Sequence, residues 1–401
     1  MQAALMETAG AAGLLVVLSH DEYTQSAGGI QNCIGDEARA FAEHRWAHLH
    51  ACPAQPLPLL ADPVGAAEFR IVLTLGGARL GTARWKDLAD ALCQAFMPRE
   101  RHLVVHHLLG FVPELVSTLA ARGGFGKAIF WTHDFFTICT GYALMRNDVE
   151  FCHAPPIASG ACTICCYGSE RISHVRRIRE LYAAIRPVVM APSRSALDFW
   201  LGHADLPHSE AIVQPHCTVS FEGPPVARPQ DRPIRVAYLG GPVSHKGWDV
   251  FRAVAGRHAD NYEFLHFGNE SGGDELIQFV PVRVTPSDRD RMVNALVEAG
   301  VDVVVSWSLC HETFSFTTFE AIAAGAFVIA RKAAGNVWPA VGLYGVGIAL
   351  RTEQELLAYF DSGSLLVDLD RSRRRRGRLV PGRLAGTYLL GSAQAACGAA
   401  A

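Results

Sequence analysis

Residues 303–335 read VVVSWSLCHETFSFTTFEAIAAGAFVIARKAAG. Three consecutive valines, Val303, Val304 and Val305, form a strand of the kind buried on both faces. A polar turn with Glu312 follows, then a helical pattern carrying Glu320, then a second apolar strand over residues 327–330. The order is strand, loop, helix, strand, and the loop leaves the carboxyl end of the first strand. Open α/β sheets bind ligands there. The two carboxylates are eight positions apart, with Ser315, Phe316, Thr317 and Thr318 between them. With a helix starting near Thr317, Glu320 falls in its first turn. The N–H groups before it have no partner inside the helix and suit a diphosphate, while Glu320 suits a ribose diol. A capping acid beside a surface acid would give the same spacing.

Working outward, the same alternation recurs. Strands are expected at residues 14–18, 69–75, 102–105, 128–131 and 187–190, with helices from about Ile30, over 85–96 and after Ser193, an N-cap residue. A proline-rich stretch, FEGPPVARPQDRP at 221–233, breaks the pattern. Strands resume at 235–239, 263–267 and 301–305. The expected architecture is α/β: two doubly wound, Rossmann-like domains facing across a cleft. Their bounds are set at 1–222 and 234–365, with a linker at 223–233 and a basic, weakly ordered tail at 366–401. Six of the eight residues 371–378 are Arg. A solvated basic segment is one reading, and attraction to an anionic membrane face is the other.

The bulk numbers fit a folded globular protein. Half of the 401 residues are hydrophobic. The formal net charge of −3 offers no reason to expect a nucleic-acid partner. The apolar run at 14–18 is too short to cross a membrane and ends in Ser-His-Asp-Glu, so it reads as a first strand. The 11 cysteines are an odd number, and a cytoplasmic location with mostly reduced thiols is expected. Cys139, Cys152, Cys162 and Cys165 lie close in sequence, and Cys162 and Cys165 have knuckle spacing. Reduced thiols packed in a loop are preferred to a structural zinc there. His106 and His107 read as cleft-lining or partly buried histidines.

Two glycine pairs sit at strand-to-helix turns. Gly28-Gly29 precedes the first helix, and Gly240-Gly241 ends the strand at 235–239. Lys246, six residues after Gly240, stands near a helix start, where it can neutralise a phosphate. The spacing is not that of a Walker A loop.

Lys246-Gly247, the pair Glu312 and Glu320 in HETFSFTTFEAIAAG, and Gly335-Asn336 resemble the C-terminal domain of retaining family 4 glycosyltransferases of GT-B fold. The sequence ETFSFTTFEA is similar to a subset acting in bacterial surface polysaccharide assembly. Gly28-Gly29, Thr132-His133-Asp134 and Ala191-Pro192-Ser193 are similar to the N-terminal half. The resemblance implies sugar transfer from a nucleotide diphosphate donor to a glycan, lipid-linked or other hydroxyl acceptor, without a cofactor and without an essential metal. It implies Glu312 and His133 at the donor sugar and Glu320 at the ribose. It places Lys246 with the backbone of Phe316 and Thr317 at the diphosphate, with Gly28 and Gly29 bordering acceptor and phosphates.

Two departures stand out. Gly241 occupies the place of a usual Arg, so one phosphate charge partner is either missing or supplied from elsewhere, with Arg331 and His245 as the candidates. Ser315 occupies the place of a usual Gly. A weakened partner subunit, a nucleotide-sugar epimerase and a phosphorylase are the competing readings. The resemblance also allows peripheral contact with the inner membrane face.

Overall fold

A computed structural model of the chain describes residues 2–94, 98–227 and 229–390. The described chain forms two units. One comprises residues 2–142, 153–216 and 382–390, and the other residues 143–152 and 217–381.

In the first unit, strands β1 (Leu14–Leu18), β2 (Ala47–Pro53), β3 (Arg70–Leu75), β4 (Ala78–Arg84), β5 (Arg101–Val105) and β6 (Lys127–Trp131) precede a short hairpin, β7 (Met145–Arg146) and β8 (Glu150–Phe151), which belongs to the second unit. β9 (Val188–Ala191) and β10 (Glu210–Val213) complete the first sheet. Its order is β10-β9-β6-β5-β1-β2-β3-β4. All pairings are parallel except β2 with β3 and β3 with β4. All five residues of β1 are fully buried, as a central parallel strand covered on both faces requires. The expected helix over 85–96 runs Trp85–Leu92, and Phe96 lies outside the described residues. Ser193 caps its helix as expected, its Oγ accepting from Ala196 N at 3.0 Å.

The second unit contains β11 (Cys217–Pro225), β12 (Ile234–Leu239), β13 (Tyr262–Gly268), β14 (Ile277–Pro281), β15 (Val303–Ser306), β16 (Phe327–Arg331), β17 (Gly347–Leu350) and β18 (Arg375–Pro381). Its main sheet is parallel throughout, in the order β14-β13-β12-β15-β16-β17. Alternate residues feed two cores. Val236 and Tyr238 pack with Trp248, Phe251, Val303 and Val305. Ala237 and Leu239 pack with Val304, Ile322 and Val328. Two buried faces explain why these strands read as unbroken apolar runs.

Two expectations need correction. After the excursion at 143–152, the chain passes into the second unit at Cys217, not in a linker at 223–233, because Cys217–Pro225 is a strand paired antiparallel with β18. Residues 366–390 are not a weakly ordered tail. A helix spans Ser364–Arg371, β18 follows, and a short helix at Ala385–Leu389 packs in the first unit against the helix Gly29–Ala42. The arginine run is anchored by backbone carbonyls. Arg374 is fully buried and donates to Asp302 O (3.2 Å) and Gly325 O (3.4 Å). Arg375 donates to Gly223 O at 2.9 Å, and Arg378 pairs with Glu222. Residues 391–401 of the expected tail lie outside the described residues.

Candidate active site

In the second unit the chain runs outward from β12 to β13 and β14, then returns to lay β15 on the other side of β12. The switch point is therefore between β12 and β15, where the loops after the two strands diverge and leave a crevice. The loop after β12 carries Gly240, Gly241 and Lys246, and the loop after β15 carries Glu312. They are tied together. Leu309 N and Ser308 Oγ both donate to His245 O, at 2.8 and 3.2 Å. A Cβ on Gly247 (φ 89°) would lie 2.1 Å from Trp307 O, so only glycine allows this approach.

Across these loops Lys246 Nζ donates to Glu312 Oε1 at 2.7 Å. The Glu312 side chain is 12% exposed and that of Lys246 40%. Burial by itself would lower the Lys246 pKa. The charge of Glu312, with a smaller contribution from Cys310 and the hydrogen bond itself, outweighs it and holds the ammonium above its ordinary range. Glu312 is positioned from behind, its carbonyl accepting from Asn336 N at 2.8 Å. Gly335 makes that possible, with φ 58° and no room for a Cβ, which would meet Glu312 O at 2.3 Å.

The helix Phe316–Ala323 begins beside this pair. Ser315 is its N-cap, the Oγ accepting from Thr318 N (3.4 Å) and from Thr318 Oγ1 (2.8 Å). Ser315 Oγ also lies 3.1 Å from Thr317 Oγ1. Fully buried Ile322 contributes about 2 kcal/mol to holding the helix on the sheet. A Cβ on Gly240 would be 3.8 Å from Thr317 Cγ2, so the glycine turn and the helix start are neighbours. The Gly240 carbonyl is turned away, accepting from His266 Nε2 at 2.8 Å. The structure thus brings Gly240, Gly241, Lys246, Glu312, Ser315, Phe316 and Thr317 to one place.

Glu320 differs from expectation. The helix starts at Phe316, so Glu320 is its fifth residue and lies beyond the first turn. It is 3% exposed, and burial pushes its carboxyl up to about 7, against the opposing charge of Arg289. Arg289, not singled out in the sequence, has its guanidinium carbon 5.0 Å from the Phe316 ring centre. Neither expected stand-in for the missing Arg is a free cation. Arg331 donates to Ser308 O and Leu309 O, at 3.3 and 3.2 Å, and braces the loop. His245 is pushed below its ordinary pKa by burial and by the charge of Lys246, so it is neutral at pH 7. A Cβ on Gly241 would meet nothing within 4 Å.

The first unit has its own switch point, between β1 and β5. Ser19-His20-Asp21 follows β1, His106-His107 follows β5, and Thr132-His133-Asp134 follows β6. Leu109 N donates to His107 Nδ1 at 3.0 Å, so His107 Nε2–H donates to Asp134 Oδ2 at 2.8 Å. Burial alone would raise Asp134. His107, with the Phe136 N–H, holds it below the usual carboxylate range. His106 Nδ1 lies 2.8 Å from His133 Nε2, and His106 Nε2 lies 3.1 Å from Glu37 Oε1. Burial, then the neighbouring His216, His106, His107 and His20, hold His133 well below its ordinary pKa, as a neutral imidazole. Gly28 and Gly29 start the helix that carries Gln31 and Glu37, and Gln31 Nε2 donates to Asp21 at 2.8 Å. His106 and His107 are buried members of this network, and with Phe130, Trp131 and Tyr182 they line a small cavity in the first unit.

Among the described residues, Cys139, Cys152, Cys162 and Cys165 are not among the groups placed closely enough to share a metal ion. Cys152 belongs to the second unit, and Cys139, Cys162 and Cys165 to the first. Cys162 Sγ accepts from Arg171 Nη1 at 2.8 Å, and a guanidinium at that distance opposes a metal cation. Sequence reading also missed Cys33, Glu37 and His216. The spacing of four between Cys33 and Glu37, which puts both on one helix face, was the available signal.

No family model matches the chain, and no curated protein sequence does. Solved structures do match over nearly the whole chain. Sucrose-phosphate synthase from Thermosynechococcus elongatus aligns with a TM-score of 0.57 and 16% identity, over 90% of this chain and 92% of that one. HepE of Anabaena, solved with UDP and glucose, gives 0.54 and 12%, over 89% and 91%. A glycosyltransferase from Rickettsia africae gives 0.52 and 12%, over 90% of each chain. The fold is of the GT-B type. Agreement at such identities is agreement of fold alone.

Proposed function

We propose that the protein is a retaining glycosyltransferase that moves a sugar from a nucleotide diphosphate donor to a glycan or lipid-linked hydroxyl. The observation that carries this reading is the 2.7 Å contact between Lys246 and Glu312 at the β12/β15 switch point, beside the start of the helix Phe316–Ala323. Lys246 supplies a fixed positive charge for the diphosphate, and the N–H groups of the helix start supply further donors. Glu312 holds sugar hydroxyls, and Glu320 holds the ribose. Gly28 and Gly29 keep, as part of the same proposal, the roles that the resemblance implies.

In the reaction the bond between the anomeric carbon and the phosphate oxygen breaks. The acceptor oxygen bonds to that carbon from the same face, and its proton passes to the departing phosphate oxygen. The nucleoside diphosphate leaves. Lys246 and the helix N–H groups stabilise the charge that develops on it, which is where electrostatic catalysis acts. The nucleotide sugar is a co-substrate, and the transfer as proposed uses no cofactor. Among the described residues no helix is long and apolar enough to cross a membrane. A cytoplasmic location, with contact to the inner membrane face through a lipid-linked acceptor, is part of the proposal.

A weakened partner subunit is the second reading, favoured by Gly241 and by the engagement of Arg331 with backbone carbonyls. The test is a panel of UDP-, GDP-, ADP- and TDP-sugars with glycan and lipid-linked acceptors, following nucleoside diphosphate release and the anomeric coupling of the product. A retained product supports the proposal, and an inverted one refutes retention. Neither turnover nor nucleotide binding would leave the partner reading.

A further inference from the structure

Three donor side chains converge in the first unit from distant parts of the sequence. Cys33 comes from the helix Gly29–Ala42, His133 follows β6, and His216 follows β10. Their ligand atoms all lie within 4.8 Å of one another. His133 Nδ1 and His216 Nε2 are 3.1 Å apart. Two imidazole nitrogens on a tetrahedral zinc would be about 3.3 Å apart, so these two rings need part by only a few tenths of an ångström, with the Cys33 sulfur closing in from within 4.8 Å.

The protons around His133 are ordered by the network. Glu37 is fully buried, and as a carboxylate it only accepts. Its Oε2 takes the Ala385 N–H at 3.2 Å, and its Oε1 takes His106 Nε2–H. His106 Nδ1 is then an acceptor and takes His133 Nε2–H. That leaves the lone pair on His133 Nδ1, aimed at His216 Nε2. A carboxylate–imidazole chain behind a histidine, fixing its tautomer and orientation, is what stands behind metal-bound histidines. A hydrogen bond from His216 to His133 would also satisfy the lone pair, and metal content separates the two.

We propose that Cys33, His133 and His216 form a zinc site, with Glu37 and His106 as positioning residues. One thiolate and two imidazoles suit Zn²⁺ among the divalent ions, and three protein ligands leave a fourth position open. His133 is partly exposed, which gives the ion a way in. The three ligands belong to the first unit and the Lys246–Glu312 pair to the second, and metal content is read without reference to turnover.

The test uses the full chain without an affinity tag, stripped by chelator, reconstituted with zinc and dialysed. About one equivalent is expected in the wild type and in Cys162→Ser, with less than ~0.2 in Cys33→Ser and His216→Gln. Cobalt in place of zinc should give visible d–d absorption with a thiolate charge-transfer band in the wild type, a readout that does not depend on any variant folding. Wild-type zinc below ~0.2 equivalents with a featureless cobalt spectrum overturns the site. So does full metal content in folded Cys33→Ser and His216→Gln, which would put the metal elsewhere.

Discussion

Replacing Glu320 with glutamine should stabilise the protein above neutral pH and not in acid. Glu320 is 3% exposed, and burial moves its carboxyl from the ordinary 4.5 to about 7. The native protein therefore keeps a proton that the unfolded chain has shed, and stability falls as pH rises from about 4.5 to about 7. Above that window the cost is fully present, and a displacement of this size corresponds to at most about 3 kcal/mol. Relaxation around the site reduces it, and about 2 kcal/mol is the working figure. Glutamine keeps the shape and cannot ionise. At pH 8 the variant should melt about 4–8 °C higher than the wild type for a unit of this size. At pH 4.5 the two should melt together. The assay is a thermal melt of both proteins from pH 4.5 to 8.5 without nucleotide. A variant that is less stable at pH 8, or a difference independent of pH, would refute the reasoning. The same substitution should weaken nucleotide binding, since the proposed ribose contact needs the carboxylate.

Lys246→Ala and Glu312→Ala should each lower turnover by at least ~10²-fold in the nucleoside diphosphate release assay, the scale of losing one charge-stabilising group. Gly335→Ala places a Cβ 2.3 Å from Glu312 O at φ 58°, and should cost about 1–3 kcal/mol in urea denaturation while lowering activity with it. Gly241→Arg meets nothing within 4 Å and restores the absent cation; nucleoside diphosphate affinity should rise roughly tenfold by calorimetry. Arg374→Leu removes the donors to Asp302 O and Gly325 O, and should cost about 2–3 kcal/mol in denaturant.

What the sequence conveyed followed from how each element is buried. β1, β12, β15 and β16 are covered on both faces and read as apolar runs. β2 is buried as well, but its pattern AHLHACP carries His48 and His50, at 3% and 0% exposure. Burial holds His48 at about 4, against the charge of Glu37, and His50 is bound to Ser19 Oγ at 2.7 Å. Polar letters hid a core strand. The helix Gly168–Ile185 escaped for the same reason, because its inward positions include Arg171 and His174 beside Ile178, Leu181 and Tyr182. The arginine run disguised β18, whose anchor Arg374 bonds to carbonyls 72 and 49 positions away in sequence.

The site divides along similar lines. Lys246 and Glu312 were legible because each follows its strand within a short loop, and the switch point joins the loops. The chain from Glu37 through His106 to His133 spans separations of 69 and 27 residues, and no local pattern announces it. The start of the helix Phe316–Ala323 lay one residue before the expected Thr317, enough to move Glu320 out of the first turn.

The central claim is that a nucleoside diphosphate binds at the Lys246–Glu312 pair. Calorimetric titration of UDP, GDP, ADP and TDP into the wild type and into Lys246→Ala tests it most directly. At least one should bind the wild type with Kd below ~1 mM and bind Lys246→Ala at least ~10-fold more weakly. Binding by none of the four, or equal binding to Lys246→Ala, would contradict it.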